Sequence, residues 1–325
     1  MTSPFDEYEV AKALRPTPQG LTFDLDQALQ SLVVLHAHVP GDAFTAKTLG
    51  TERLGNGVVI GDQGLVLTIG YLITEADEVS LLTNDGRRIA AHALGYDQAT
   101  GLGLVHAREP LGLPALPLGD SRRLRADDPI ILAGGGGRAH AVAGKVIERA
   151  AFAGYWEYLL DEALFTAPGH PHWSGAALIG PTGALVGVGS LQMSHETPDG
   201  RAVPINMCVP IELLPPILDA LSQGQAAHPP RPWLGVFAQD GDDEVVVLDV
   251  AGDSPAARAE LRRGDKILAV AGQPVTSLAD FYTRLWKLGP AGVSVPLRLK
   301  REGDVFDLHI RSIDRASKLK KRRFN

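Results

Sequence analysis

The chain has 325 residues, 45% hydrophobic and 21% charged, with 31 Lys+Arg against 38 Asp+Glu and a formal charge of −7. That is apolar material for about two globular domains, and the acidic balance argues against a chain built as a whole for nucleic acid. A single cysteine, Cys208, excludes an intrachain disulfide and a metal site built from several cysteines; in the apolar stretch around it, it reads as a small buried hydrophobe.

Residues 1–26 read as a polar, extended N-terminal arm containing Pro4, Pro16 and Pro18. The first residues carry neither a basic n-region nor an apolar h-region, so the expectation is a cytoplasmic chain, periplasmic only if the N-terminus has been altered. No run reaches the roughly 18 apolar residues of a membrane span. From Ala28 onward, short apolar runs alternate with Gly, Asp and Asn: Ser31 to His38, Gly57 to Gly61, Gly64 to Thr68, Glu78 to Leu82, Asp128 to Ala133, Lys145 to Glu148 and Ala184 to Val188. Many short β-branched runs at this spacing predict a barrel or sandwich, and Asn84-Asp-Gly86 is a hairpin signal. The period changes to helical over Ile211 to Leu221, closing a domain that spans 27–221.

Residues 222–232, rich in Pro and small residues, read as a linker. A second domain, 233–313, offers strands at Glu244 to Val250, Lys266 to Val270, Val293 to Lys300 and Val305 to Ser312, with helices at Ser254 to Leu261 and Leu278 to Leu288. Ser254 caps the first of these helices and Pro255 fits its first turn. The remainder, 314–325, is a basic tail.

Three segments of the second domain, Val250-Ala-Gly-Asp-Ser-Pro-Ala-Ala257, Leu261-Arg-Arg-Gly-Asp-Lys-Ile-Leu268 and Val270-Ala-Gly-Gln-Pro-Val275, resemble the PDZ domain of HtrA/DegP-type proteases. Gly57-Val-Val-Ile60, Leu67-Thr68, Asn84-Asp-Gly-Arg87, Leu118-Gly-Asp-Ser121 and Val209-Pro210 resemble the protease half of the same family. The resemblance implies a mainly β chain: a trypsin-like pair of six-stranded barrels followed by a PDZ domain. It implies a peptide-binding loop at Trp233, Leu234, Gly235 and Val236, where backbone N–H groups hold a terminal carboxylate and an extended peptide adds to a sheet edge. The helix from Leu278 would form the other wall.

The same resemblance locates the catalytic positions. Ser174 stands at the nucleophile position in His172-Trp-Ser-Gly175. Tyr71, in Leu67-Thr-Ile-Gly-Tyr71, stands at the histidine position, Gly101 at the aspartate position, and His172 at a glycine whose N–H forms half of the oxyanion hole. A serine hydroxyl needs a neighbouring base; a phenol is protonated near neutrality, and glycine can orient nothing. The implied function is a peptide-binding protease homologue without proteolysis, in a chaperone-like, adaptor or regulatory role. Two alternatives stay open. One is an active endopeptidase using Ser174 with a non-standard base drawn from His36, His38, His92, His106, His140, His170 or His172. The other is a structural subunit of an assembly. By resemblance the arm, with Phe5, Tyr8 and Phe23, supports a homotrimer, or pairing with an active paralogue. No cofactor and no metal is expected: Gly134–Gly137 lacks the rest of a phosphate loop, and His170-Pro-His172 lacks further ligands. The basic run Lys318 to Arg323 reads as solvated.

Overall fold

The computed structural model describes residues 9–320 apart from 62, 198 and 243. They form two compact units. The first runs to Ala150 and from Glu162 to Ala227, with Lys320; the second comprises Ala151–Asp161 and His228–Leu319.

In the first unit the arm is not extended throughout. It folds a 3-10 turn at Lys12–Leu14 and enters helix α1 (Leu25–Gln30), where the Asp24 side chain accepts from Gln27 N–H. Strands β1 (Leu32–His38), β2 (Glu52–Gly61), β3 (Leu65–Ile69), β4 (Glu78–Leu82), β5 (Arg88–Tyr96) and β6 (Leu102–Ala107) close into a barrel in the order β1-β2-β3-β6-β5-β4. Helix α2 (Ala46–Leu49) precedes β2 and the single turn α3 (Gly70–Ile73) follows β3. A second barrel closes from β7 (Pro129–Ala133), β8 (Ala141–Gly154), β9 (Tyr158–Ala167), β10 (Ala177–Ile179), β11 (Leu185–Glu196) and β12 (Ala202–Pro210), in the order β10-β11-β12-β9-β8-β7. Closure removes free sheet edges, which chains of many short strands must otherwise protect. Leu132, Leu164 and Leu178 lie wholly inside the second barrel with Cys208, whose thiol burial pushes up to about 12.

The helix expected over Ile211 to Leu221 is broken. A 3-10 turn (Ile211–Leu213) comes first, and α4 (Pro215–Ser222) begins at the proline pair, because proline tolerates only the first turn of a helix. Gly134–Gly137 is a loop after β7. Gly135 N–H donates to the Asn56 side chain (3.0 Å) and Gly136 N–H to that of Asn84 (2.7 Å), tying one barrel to the other.

The second unit is a sheet in the order β13-β14-β15-β17-β18, from β13 (Val236–Asp240), β14 (Val245–Val250), β15 (Lys266–Val270), β17 (Ser294–Arg301) and β18 (Asp304–Arg311), with the short β16 (Gln273–Pro274) beside β15. Helix α5 (Pro255–Arg258) is capped by Ser254, which accepts from Ala257 N–H. Helix α6 (Leu278–Lys287) is capped by Ser277 and buries Leu278, Phe281, Tyr282 and Leu285, the i, i+3, i+4, i+7 stripe of a helix lying on a sheet. Against that stripe pack Val236, Val247, Ile267 and Leu297. In the ladder β13 pairs with β14 alone, which leaves its outer edge for another strand.

Candidate functional site

Tyr71 is held from two sides. Its residue sits on α3, and the carbonyls of Tyr71 (2.7 Å) and of Thr74 just after the helix (2.9 Å) accept from the guanidinium of Arg53, a residue 4% exposed. Its hydroxyl donates to the carbonyl of Ser190 (2.7 Å), where the register of β11 slips between Gly189 and Leu191, and it is in close hydrogen-bonding contact with Ser174 Oγ. A carbonyl only accepts, so the one phenolic proton goes to Ser190, and the Ser174 hydroxyl donates to the phenol oxygen. Desolvation pushes the Tyr71 hydroxyl up to about 12, against the pull of hydrogen bonds with Ser174 and Trp173. At neutral pH it is a phenol.

The loop carrying Ser174 is pinned by Asn56, a buried residue that sequence reasoning missed. Asn56 N–H donates to the Ser174 carbonyl (2.8 Å), and its side-chain amide donates to the carbonyls of His172 (2.9 Å) and Ser174 (3.1 Å). Thr68, from the Leu-Thr pair, donates to the Asn56 carbonyl (2.7 Å). Gly175 follows with φ +73°, and a Cβ there would collide with the Asn56 carbonyl, so glycine is required for both space and conformation.

Gly101 lies beside this site through its backbone: its carbonyl accepts from Gly70 N–H (2.7 Å), next to Tyr71, and its own N–H donates to Asp97 (2.8 Å) at φ +79°. It brings no side chain. The nearby carboxylate of Asp97 caps its own turn, accepting from Thr100 N–H (2.7 Å).

His172 does not offer its N–H to the cleft. That N–H donates to Nδ1 of His170 (2.9 Å), while Nε2 of His170 bonds the His140 carbonyl (2.9 Å). A carbonyl partner fixes the proton on Nε2 and leaves Nδ1 as the acceptor. His170 is fully buried, and burial pulls its pKa down to about 4, so the neutral ring is the resting form. His170 is thus a scaffold residue. Of the other candidate bases, His36 bonds Glu52 (2.7 Å), His38 bonds Asp77 (3.0 Å), and the rings of His92 and His106 lie 5.6 Å apart, tilted by 48°. Among the described residues, the side-chain hydrogen bond of Ser174 Oγ is to Tyr71 and to no imidazole.

In the second unit the loop before β13 presents three of its four expected amides to one group. Leu234 (3.2 Å to each oxygen), Gly235 (2.6 Å) and Val236 (2.9 Å) all donate to the carboxylate of Glu157. Gly235 has φ +81°, and a Cβ there would meet Ser254. Trp233 differs from expectation: its N–H donates to Ile313 (3.0 Å) in an antiparallel bridge and lies outside the cluster of donors. Phe23 of the arm covers Gly183 in its own unit, whereas Phe5 and Tyr8 lie outside the described residues. Among the described residues no cluster of three or more His, Cys, Asp or Glu side chains is arranged to hold a metal, and no helix is long and apolar enough to cross a membrane.

Two closed six-stranded barrels with a serine loop between them, joined to a sheet-and-helix unit with an amide-lined loop, define the class: a trypsin-like peptidase fold with a PDZ domain. The trypsin-like peptidase domain family matches residues 55–188 and the PDZ domain family residues 232–311. The chain belongs to the HtrA family of protease homologues. It is 27% identical over 269 residues to a probable periplasmic serine endoprotease DegP-like of Halomonas elongata, covering 78% of this chain and 55% of that one. It is 26% identical over 281 residues to the serine endoprotease DegS of Escherichia coli, covering 81% and 77%. The chain spans about half the length of the DegP-like relatives it matches. Among solved structures, the HtrA-type protease AlgW with decapeptide superposes with a TM-score of 0.53 at 21% identity over 90% of this chain and 99% of that one. The serine endoprotease from Yersinia pestis gives 0.51 at 24% identity, over 90% and 99%.

Proposed function

We propose that this HtrA-family chain binds peptides without cutting them, its PDZ unit taking extended segments or C-termini in an adaptor, chaperone-like or regulatory role. One observation carries the reading: the Ser174 hydroxyl proton is donated to a neutral phenol whose own proton is committed to the Ser190 carbonyl. A neutral phenol is a very weak proton acceptor, and loss of the base costs on the order of 10⁶ in rate in a triad enzyme. The His172 N–H, spent on His170, is withdrawn from oxyanion stabilisation, itself worth about 10²–10³. Both defects act on one step and are not multiplied.

A fluorophosphonate probe tests this. The expected result at neutral pH is no labelling of Ser174 above a Ser174→Ala control; labelling lost in that control, with turnover of a peptide, would establish an active enzyme with a non-standard base. In the same proposal the chain works as a homotrimer or beside an active paralogue, and sedimentation showing only monomer, alone and mixed with that paralogue, removes this part.

A further inference from the structure

The groove of the second unit is filled by the chain itself. Ala151–Asp161, the tip of the hairpin between β8 and β9, groups with the second unit. Its Glu157 is 5% exposed although it sits in a hairpin turn, where an acid would ordinarily reach water. The backbone there has φ +58°, a left-handed conformation that is unfavourable for a non-glycine residue. Something must offset both penalties, and the contacts show what does. Three consecutive backbone amides, Leu234 to Val236, converge on the Glu157 carboxylate as a nest built for an anion. Two residues earlier, the Tyr155 carbonyl accepts from Ala238 N–H (2.9 Å) on the outer edge of β13, as an added strand would. From the facing helix, the Tyr282 hydroxyl donates to the Gly154 carbonyl (2.8 Å) and accepts from Glu157 N–H (3.0 Å). Ala153 and Leu159 pack on the core of the unit, and the Tyr155 ring lies 6.0 Å from that of Phe237.

An anion in the amide loop, a backbone pair to the sheet edge and a contact to the groove helix are together the set of interactions by which a sheet edge captures a peptide end. We propose that the hairpin tip is an internal ligand of the PDZ unit, with the Glu157 side chain standing for a terminal carboxylate, so that a peptide ending in a free carboxylate binds only by displacing it. This rests on the reading of the second unit as a peptide binder. A ligand tethered within the same chain competes at an effective concentration of the order of millimolar. Groove affinity measured on the full chain is therefore lower than the groove's own.

Two measurements on the full chain separate this inference from the function it rests on. The first is amide hydrogen exchange at Leu234, Gly235, Val236 and Ala238 in the wild type, Glu157→Ala and Glu157→Gln, with circular dichroism to certify the fold. Exchange about tenfold faster or more in Glu157→Ala is expected; unchanged exchange overturns the internal ligand. Glu157→Gln keeps the size and one acceptor oxygen and serves if the alanine variant does not fold. The second is binding of a fluorescein-labelled decapeptide pool with randomised C-terminal residues, made as free acids and as amides. The free acids should bind Glu157→Ala about tenfold tighter or more than wild type, with the amides unaffected. Equal binding of the free acids to both proteins overturns the proposal. Faster exchange with no peptide bound to either protein sustains the internal ligand and sinks the peptide-binding function.

Discussion

Tyr71 and the histidine it replaces by resemblance differ in where a lone pair is available. An imidazole bonded through one nitrogen keeps a basic lone pair on the other; the Tyr71 oxygen carries its proton toward Ser190 and offers only a phenol lone pair to Ser174. Restoring the ring alone would not restore the reaction. Gly101 leaves an imidazole at position 71 without a carboxylate to set its tautomer, a defect worth about 10⁴ in a triad enzyme. His172 N–H would remain on His170. We expect Tyr71→His alone to hydrolyse peptide at least about 10³-fold more slowly than the triple variant Tyr71→His, Gly101→Asp, His172→Gly. Initial rates on a chromogenic peptide, with folding checked by circular dichroism, decide it. A single variant as fast as the triple would show that the orienting and oxyanion positions are dispensable here.

At the scale of elements, the β8–β9 hairpin couples chemistry to conformation. Burial pushes the docked Glu157 carboxyl up to about 7 from an ordinary 4.5, against the pull of the three amide donors and of Arg315; the Tyr282 hydroxyl also faces it. The docked carboxyl therefore holds its proton where the free one has lost it. Docking takes up a proton between pH 4.5 and about 7, so falling pH strengthens docking within that window and rising pH weakens it. Below the window both forms are protonated and above it both are ionised, so the dependence stops. The opening equilibrium read from Gly235 amide exchange, corrected for intrinsic rates, should rise by up to about tenfold per pH unit across the window and level off above it. A flat or inverted profile contradicts the titration. Little of this was legible in the sequence. Strand runs such as Glu78–Leu82 and Lys266–Val270 follow from their own short apolar runs. By contrast, Glu157 between two aromatics reads as any turn acid, because its partners lie 77 to 79 residues away. Asn56 and the scaffold role of His170, which the sequence offered only as a candidate base, escaped for a like reason: a buried amide and a neutral imidazole declare such roles through carbonyls far along the chain. Ser174, Tyr71 and Gly101 could be singled out only by resemblance, through the short family-like segments that surround each of them.

For the molecule as a whole, the internal ligand becomes a matter of linkage. Its core gives the second unit its own stability, and with Trp156, Trp173 and Trp233 replaced by phenylalanine in both proteins compared, Trp286, stacked on Tyr282 at 5.4 Å beside the groove, reports its unfolding. A ligand that fills a vacated site stabilises by RT ln(1 + [L]/Kd), about 2.7 kcal/mol at a hundredfold excess over Kd. A ligand that must evict an equivalent group gains only the difference between the two contacts. Glu157→Ala should therefore begin with a lower midpoint for the Trp286 transition, because three amides lose their partner at a cost of about 1–3 kcal/mol. It should then recover more than the wild type when the same free-acid peptide is added, the two midpoints converging as the peptide saturates. Thermal scans of Trp286 fluorescence, with and without peptide, measure both shifts. Parallel shifts in the two proteins would mean that peptide and hairpin occupy different places, and that the carboxylate of Glu157 does not stand in for a terminus.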